Sequence, residues 1–394
     1  MDLTSDFPFW TVRSGLIAAY PPLESDRRCD VLVVGGGITG ALLAHELEAR
    51  GIDCIIVDRR DIGHGSTSAS TALLQYEIDT PLDELVTKVG RRHAERAYQL
   101  GVEVIHKLEA IAGGDAGFRR RPSLKLAQRP SHIRRLHAEY LARRRAGLAV
   151  RWLDRDCLRT EYGISRDAGI RSAVAAEMDP YQMTHRLLLR LKGRVFDRTE
   201  ATRYEVSRSG ITVQMDRGSK IRAKAVFLAT GYETNRVLPA SIVKLHSTYA
   251  LMSEPLEDIS FWRGRSLIWE TGNPYLYART TSDNRILIGG EDDEVVEGHR
   301  RDRQISQKTK RLLKGFARLF PAKPIEPAFS WAGSFGSTPD GLPYIGPYPG
   351  MARRYFALGF GGNGITFSAM AATILADLFV GKANADAKIF SFLR

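Results

Sequence analysis

The chain has 394 residues, of which 43% are hydrophobic and 26% are charged, and its formal net charge is +12. This length allows two domains with cores of their own, and the composition excludes an intrinsically disordered chain. No apolar run approaches the roughly 18 residues of a membrane-spanning helix, and the N-terminal residues lack the apolar region of a signal peptide. The three scattered cysteines predict neither a disulfide framework nor a metal site, so we expect a cytoplasmic protein.

The positive charge is partly concentrated in two arginine runs, 119–121 and 143–145. Runs of this kind are typical of surfaces that bind nucleic acid or anionic membranes. Acidic and apolar residues interrupt the surrounding sequence, however, and no aromatic residues alternate with the arginines. We therefore predict solvated helix faces and no nucleic-acid partner.

The most specific motif follows the first apolar run near the N-terminus, where Gly35, Gly37 and Gly40 have the spacing G-x-G-x-x-G. Glycines at these positions permit a tight turn, the approach of a pyrophosphate to bare backbone, and close packing of a helix on a strand. Ile38 and Thr39 would begin that helix and offer free N–H groups to the phosphates. The motif predicts a strand, a turn and a helix that bind an adenine dinucleotide.

A second apolar segment, Cys54–Val57, ends at Asp58, about 20 residues beyond the glycines. An acid at this spacing accepts a hydrogen bond from the ribose, and we group the neighbouring Arg59 with it as a cofactor-binding residue. The loop that follows is rich in small and hydroxyl-bearing residues that suit a nearby ligand: Gly65, Ser66, Thr67, Ser70 and Thr71. These features leave both NAD and FAD open as the dinucleotide.

The remaining hydrophobic pattern predicts helices and strands in mixed order. We expect helices over 81–112, 131–146 and 182–192, a strand over 123–127, and series of strands over 194–230 and 242–291. The apolar segment 225–231 is typical of a buried strand in a parallel sheet. The alternating pattern over 242–291 indicates an antiparallel sheet, in which Tyr275, Tyr277 and Arg279 share one face.

Near the C-terminus, the glycine-rich segment Gly359–Gly364 precedes an amphipathic stretch, 365–380. A helix beginning there would point its positive N-terminal end at the ligand that the glycines surround. Because the first and the last segments both suit one ligand, we expect domains that are built from discontinuous pieces of the chain.

The order of these motifs resembles the flavoproteins typified by D-amino-acid oxidase, sarcosine oxidase and glycine oxidase. The resemblance spans nearly the whole chain and includes two further segments, Ala229–Gly231 and Thr338–Gly346. It implies an α/β fold, α+β overall, in which a Rossmann-like FAD-binding domain accompanies an antiparallel-sheet substrate domain. The implied boundaries are 1–80, 151–238 and 331–394 for the FAD-binding domain, and 81–150 and 239–330 for the substrate-binding domain.

The resemblance also extends the set of FAD-binding residues and favours FAD over NAD. The added residues are Ala201, Thr230, Gly231, Gly333, Gly361, Gly362, Asn363, Gly364, Ile365 and Thr366. Among them, Gly362, Asn363 and Gly364 would present N–H groups to the flavin edge where negative charge develops on reduction. Gly333 stands where sarcosine oxidases carry the cysteine that links the flavin, so the resemblance implies non-covalent FAD.

The implied reaction is oxidation of the C–N bond of an amine or amino acid by hydride transfer to flavin N5, followed by hydrolysis of the imine. The positions that clamp the substrate carboxylate in sarcosine oxidase correspond here to Ala72 and Thr366, and the lysine that favours reaction with oxygen corresponds to Leu287. The substrate, the electron acceptor and the oligomeric state therefore remain open.

Four residues of the predicted antiparallel sheet are candidates for the reaction: Arg279, Tyr277, Tyr275 and His246. Arg279 would replace the missing carboxylate clamp, the two tyrosines would line the pocket, and His246 would accept a proton. An alternative within the same fold is an FAD-dependent dehydrogenase of a hydroxy acid or of glycerol 3-phosphate. A more remote alternative is a nucleic-acid or membrane-surface protein that keeps FAD for structure.

Overall fold

The computed structural model of the protein describes residues 2–5, 7–238, 242–294 and 297–394. Its α-helices in chain order are α1 (Phe9–Ser14), α2 (Ile38–Ala49), α3 (Ser66–Ala69), α4 (Leu82–Val89), α5 (Arg91–Ala112), α6 (Ile133–Arg145), α7 (Arg155–Tyr162), α8 (Pro180–Leu188), α9 (Gly298–Asp302), α10 (Ile305–Leu319) and α11 (Gly364–Phe379). Its strands are β1 (Arg27–Arg28), β2 (Val31–Val34), β3 (Cys54–Val57), β4 (Leu73–Gln75), β5 (Arg119–Leu126), β6 (Val150–Asp154), β7 (Ala168–Glu177), β8 (Val195–Phe196), β9 (Ala201–Ser207), β10 (Gly210–Met215), β11 (Lys220–Ala223), β12 (Ala225–Leu228), β13 (Lys244–Ser253), β14 (Leu267–Glu270), β15 (Leu276–Thr280), β16 (Ile286–Asp293), β17 (Pro327–Ser337), β18 (Tyr344–Pro347) and β19 (Arg354–Leu358).

A six-stranded sheet carries the glycine motif, with the strand order β18-β19-β12-β2-β3-β8. Strands β19, β12, β2, β3 and β8 run parallel, and β18 is antiparallel to β19. Every residue of β2, β3 and β12 is buried, because helices α2 and α11 cover one face and the small sheet β1-β11-β10-β9 covers the other. The predicted strand–turn–helix unit and the predicted parallel strand near 225 are confirmed.

A larger, nine-stranded sheet forms the second layer, with the order β17-β13-β16-β15-β14-β5-β7-β4 and β6 paired to β7. Its pairs are antiparallel except for β14 and β5. On β15, Leu276 and Ala278 pack into a core with the buried side of α10, so Tyr275 and Tyr277 lie on the opposite face. The predicted alternation of this strand is confirmed. Within the described residues, no helix is long and apolar enough to span a bilayer.

The division of the chain between the two sheets differs from the one implied by the sequence. Strands β6 and β7 belong to the large sheet, although 151–238 was expected in the FAD-binding domain. Helix α5 packs against α11 and the core of the parallel sheet, although 81–150 was expected in the substrate domain. Hydrophobic periodicity predicts a strand but carries no information about its distant partner. We propose that the substrate-side unit takes 150–177 and that α5 joins the FAD-side core.

Of the two arginine runs, only 143–145 lies on a helix, and two of its three residues are exposed there as predicted. The run 119–121 begins strand β5, where Arg121 pairs with buried Glu177 at 2.8 Å. On α6, Arg143 is fully buried and its Nε donates to Glu139 Oε1 at 2.6 Å, whereas Arg144 and Arg145 are exposed. Three successive residues cover most of a helical turn, so one of them must face inward when the helix packs on a sheet.

Candidate active site

A cavity of about 360 Å³ lies between the parallel sheet and the large sheet. At one end it is lined by Asp58, Arg59, Arg60, Glu200 and Glu233, which we call the turn end. At the other end it is lined by Glu77, Asp79, Thr248, Trp269, Tyr275 and Tyr277, which we call the sheet end. The carboxyl ends of β2, β3 and β12 open into this cavity, which is the position where open α/β sheets bind their ligands.

Most residues predicted to bind the cofactor line this cavity. They are Gly35, Gly37, Ile38, Thr39, Asp58, Arg59, Gly65, Ser66, Thr67, Ser70, Thr71, Ala201, Thr230, Gly231, Gly333, Gly361, Gly362, Asn363, Gly364 and Ile365. Gly40 and Thr366 do not line it. A Cβ on Gly40 would lie 1.9 Å from the carbonyl oxygen of Gly35, so Gly40 permits close packing of helix on turn. Thr366 Oγ1 donates to the Asn363 carbonyl at 2.9 Å within the first turn of α11.

The glycine turn has the close contacts that its spacing requires. Gly35 has a φ of +115°, and a Cβ there would lie 2.3 Å from the carbonyl oxygen of Ala229. Gly37 faces Thr67, whose Oγ1 would be 2.9 Å from an added Cβ and accepts the N–H of Ile38 at 3.0 Å. The hydroxyl-rich loop is therefore attached to the first turn of α2, and the N-terminus of that helix opens into the cavity.

Asp58 is fixed at the turn end by two backbone donors. Its Oδ2 accepts the N–H of Gly36 at 2.7 Å, and its Oδ1 accepts the N–H of Arg60 at 2.8 Å. Burial raises the pKa of this carboxyl, and the two N–H groups oppose that rise. Arg59 and Arg60 both pair with Glu233, the latter at 2.9 Å, and Arg59 also lies 3.8 Å from Glu200, so acids of the protein offset much of their charge.

Four lining residues carry buried polar atoms that have no hydrogen-bond partner in the described structure. They are Ser66 Oγ, Glu77 Oε2, Thr248 Oγ1 and Trp269 Nε1. Leaving a buried polar group unpaired costs about 1–3 kcal/mol, so such atoms are rare unless a ligand or water completes them. Ser66 lies next to the glycine turn, as a pyrophosphate partner should. The residues present therefore fit a bound dinucleotide.

The C-terminal glycine loop forms a further wall of the cavity. Asn363 Nδ2 donates to the carbonyls of Glu77 at 2.8 Å and of Gln75 at 3.2 Å, which ties the loop to the end of β4. The N–H of Gly362 donates to Asp79 Oδ2 at 2.8 Å, and the N–H of Asn363 donates to Phe360 O. Two of the three N–H groups predicted for the flavin edge thus have protein partners, while Gly364 begins α11 at the cavity wall.

Asp79 is a site residue that the sequence reasoning missed. It follows β4 in a segment without any recognisable motif, and only the tertiary fold brings it to the glycine loop. The sequence offers one signal for Asp79: it is an acidic residue that closely follows the segment of β4. We add Asp79 to the candidate site.

Tyr275 and Tyr277 lie together in the sheet end, as predicted. Their ring centroids are 5.9 Å apart, and a Cβ on Gly289 would lie 2.3 Å from the Tyr277 ring, so this glycine leaves room for it. Burial raises the pKa of Tyr277 to about 12 and raises the pKa of Tyr275 well above 10. Both hydroxyls therefore stay protonated at neutral pH and remain available as hydrogen-bond donors.

His246 and Arg279 are not brought into the cavity. His246 Nε2 lies 2.8 Å from Ser337 Oγ, and the ring stacks on Phe335. Arg279 is buried, and its Nε donates to the carbonyl of Thr71 at 2.7 Å while its guanidinium also contacts Glu177. The alternating pattern of β13 and β15 predicts that both residues lie in the large sheet. It does not predict the protein groups that bind their side chains in place of a substrate. We therefore propose neither Arg279 as a carboxylate clamp nor His246 as a proton acceptor.

Replacement of Arg279 with lysine is expected to lower the melting temperature and to weaken cofactor retention. A single ammonium cannot replace the guanidinium fork on Thr71 and Met178, and each buried acceptor left unpaired costs about 1–3 kcal/mol. Thermal denaturation and flavin content after dialysis measure both effects. The exposed Arg263→Lys serves as the control. An unchanged melting temperature together with a higher KM for a carboxylate substrate would instead assign Arg279 to substrate binding.

Parallel strands that end at a glycine turn, together with a cavity closed by a second sheet, define a dinucleotide-binding fold. Residues 30–378 match the DAO family of FAD dependent oxidoreductases, and the chain belongs to this family. The protein is therefore an FAD-dependent oxidoreductase, and FAD is its cofactor. Gly333 lines the cavity, whereas Cys29, Cys54 and Cys157 all lie outside its lining, so no thiol is placed to bind the flavin covalently.

Curated relatives match the chain over nearly its full length. The chain is 26% identical over 387 residues to a glycine oxidase from Geobacillus kaustophilus, covering 93% of this chain and 97% of that protein. It is 26% identical over 392 residues to gamma-glutamylputrescine oxidoreductase from Escherichia coli, covering 95% and 89%. It is 24% identical over 397 residues to a putative Rieske 2Fe-2S iron-sulfur protein from Bacillus subtilis, covering 97% and 74%.

Solved structures share the fold at lower identity. Glycine oxidase from Geobacillus kaustophilus has a TM-score of 0.77 at 24% identity, covering 93% of this chain and 99% of that chain. L-proline dehydrogenase from P. horikoshii has a TM-score of 0.77 at 20% identity, covering 93% and 97%. These likenesses confirm the predicted fold, in which an FAD-binding unit and an antiparallel sheet enclose the cavity.

Proposed function

We propose that the protein oxidises the C–N bond of an amine or amino acid. The sheet end supports this proposal best, because Tyr275, Tyr277 and Trp269 form an aromatic wall around the hydrogen-bond acceptor Asp79. An amine offers N–H donors to such acceptors and an apolar body to such walls. The relatives named glycine oxidase and gamma-glutamylputrescine oxidoreductase support the same class of substrate.

In this proposal, bound FAD supplies the hydride acceptor at flavin N5. The glycine turn and Ser66 hold the pyrophosphate, and Asp58 holds the ribose. The aromatic wall excludes water from the C–H bond that breaks, and the tyrosine hydroxyls orient the amine. As the hydride leaves, the nitrogen lone pair forms the C=N bond, and water then hydrolyses the imine to a carbonyl compound and an amine or ammonia.

The alternative substrates, a hydroxy acid or glycerol 3-phosphate, both carry negative charge. Among the described lining residues, basic side chains occur only at the turn end, where Arg59 and Arg60 pair with Glu233. The sheet end instead carries Glu77 and Asp79. This charge distribution favours an amine, and membership in an enzyme family argues against FAD with a purely structural role.

Anaerobic reduction of the flavin tests the proposal. The FAD-loaded protein is mixed without oxygen with primary amines, secondary amines, amino acids, hydroxy acids and glycerol 3-phosphate. We expect amines or amino acids to bleach the visible flavin band, with formation of one carbonyl product per flavin. Bleaching by the hydroxy acids or glycerol 3-phosphate alone would overturn the proposal. Addition of oxygen to the reduced protein, with a peroxide assay, then distinguishes an oxidase from a dehydrogenase.

A further inference from the structure

The sheet end of the cavity carries two acids, Asp79 and Glu77, and only Glu77 is paired with a basic side chain. Asp79 lines the cavity and is exposed, and its Oδ2 accepts a hydrogen bond from the backbone N–H of Gly362. Glu77 is only 3% exposed, and its Oε1 pairs with Arg143 at 3.4 Å while its Oε2 has no partner. Burial raises the pKa of the Asp79 carboxyl, and the N–H of Gly362 and the charge of Lys125 oppose that rise. In its charged form this carboxylate attracts a cation from the ligand and repels an anion.

A third acid, Asp292, lies directly behind this wall. It adjoins Tyr275 and Thr248, and its Oδ1 is buried without a hydrogen-bond partner. Burial, together with a smaller contribution from the charge of Asp79, raises the pKa of Asp292 to about 6. Asp292 does not line the cavity, so its charge acts on Asp79 through the wall, and a cation that binds beside Asp79 offsets the repulsion between the two carboxylates.

The neighbouring lysines already have partners of their own. Lys308 donates to the carbonyl of Glu291 at 2.6 Å and pairs with Asp293 at 3.1 Å. Lys125 lies 4.2 Å from the centroid of the Trp269 ring, and its acidic neighbours include Glu139. Neither lysine lines the cavity, so the described lining offers no cation for a substrate carboxylate at this end.

Aromatic rings complete the surroundings of an incoming cation. Tyr275 and Tyr277 are tilted against each other, and Trp269 lines the same end with its Nε1 unpartnered. Aromatic faces attract ammonium groups, and this attraction strengthens as water is excluded. An ammonium therefore finds opposite charge and ring faces here, whereas a carboxylate finds neutral hydrogen-bond donors, such as Trp269 Nε1, but no opposite charge.

We propose that the sheet end selects cationic amines without a carboxylate, with Asp79 as the group that faces the substrate's positive charge and Asp292 as the acid behind the wall that adds to the negative potential. This inference rests on the proposed function and narrows its substrate class. Among oxidisable compounds of equal length, a diamine is preferred over a monoamine, because one nitrogen binds as an ammonium while the reacting nitrogen is neutral and keeps its lone pair. An amino acid is the poorest substrate. Asp79 and Asp292 are specificity residues in this account.

Binding of two inert ligands of equal shape tests the inference apart from turnover. Tert-butylammonium and pivalate share one apolar body and differ in the sign of their charge, and neither has a C–H bond next to nitrogen. Each is titrated into the FAD-loaded protein while the flavin spectrum and a calorimetric signal are recorded. We expect tert-butylammonium to bind at least tenfold more tightly than pivalate. Equal binding, or tighter binding of pivalate, would overturn the inference.

Variants then assign the selectivity to the two acids. Asp79→Asn keeps an acceptor oxygen for the N–H of Gly362 and is expected to weaken tert-butylammonium binding about tenfold, and Asp292→Asn is expected to act in the same direction. The exposed Glu257→Gln changes the net charge equally and should leave binding unchanged. Equal losses in all three variants, or selectivity that survives in the double variant Asp79→Asn, Asp292→Asn, would refute the assignment.

Failure of this inference is distinguishable from failure of the proposed function. If amino acids bleach the flavin faster than diamines of matched length, the proposed function stands and the cationic selectivity is wrong. If no amine or amino acid bleaches the flavin while a hydroxy acid does, the proposed function itself is wrong.

Discussion

The variant Gly37→Val is expected to purify as a folded but colourless protein. Gly37 has a φ of −82°, which valine adopts without backbone strain, but a Cβ there would lie 2.9 Å from Thr67 Oγ1 at the cavity lining, so the Thr67 side chain must shift. The added side chain occupies the space in which a pyrophosphate contacts bare backbone at the start of α2. We expect the dissociation constant for FAD to rise at least 100-fold, which corresponds to about 2.7 kcal/mol.

The control for this variant lies on the same helix. Ala49 is exposed near the C-terminus of α2, and Ala49→Val should retain FAD as the unmodified protein does. Circular dichroism of both apoproteins shows whether the fold is intact, and fluorescence titration measures FAD binding. Stoichiometric yellow FAD in purified Gly37→Val would contradict the role assigned to the glycine turn.

Replacement of Arg143 with methionine is expected to have the largest effect on stability. Its side chain is fully buried and pairs with Glu139 and Glu77, which are buried as well. Removing one partner of a buried charge network leaves uncompensated charge, which typically costs about 3–5 kcal/mol. For a chain of this size we expect a fall in melting temperature of roughly 5–10 °C.

Two comparisons identify the cause of that loss. Arg145→Met removes an exposed arginine from the same helix and should change the melting temperature very little. Adding Glu139→Gln to Arg143→Met neutralises one of the two carboxylates that lost their partner and should recover part of the stability. A melting temperature of Arg143→Met equal to that of Arg145→Met would show that the buried network contributes little.

The cofactor part of the site was predictable from the sequence because its determinants are local. The turn at Gly35 and Gly37, the acid at Asp58 and the loop around Ser66 each lie within one strand–loop–helix segment. Short spacing therefore fixes their geometry, and the structure places all four in one cavity. The antiparallel face with Tyr275 was predictable for the same reason, since alternation is a local property of a strand.

The substrate part of the site was not predictable because its determinants are long-range. Asp79 reaches the cavity only because β4 ends beside a glycine loop that lies 283 residues away in the chain. Arg279 lies in the predicted sheet, but its side chain contacts Thr71 and Glu177 and stabilises the cavity wall from outside the cavity. The sheet to which β6 and β7 belong was not predictable for the same reason, because hydrophobic periodicity does not specify a strand's partners.

The most direct test of the account is a single anaerobic turnover with a deuterated amine. The FAD-loaded protein is mixed with the amine that bleaches it fastest, and with the same amine deuterated on the carbon next to nitrogen, while flavin absorbance and carbonyl product are measured. The account predicts bleaching by both, slower for the deuterated amine, with one carbonyl product per flavin reduced. A flavin band that every amine and amino acid leaves unchanged, but that a hydroxy acid bleaches, would contradict it.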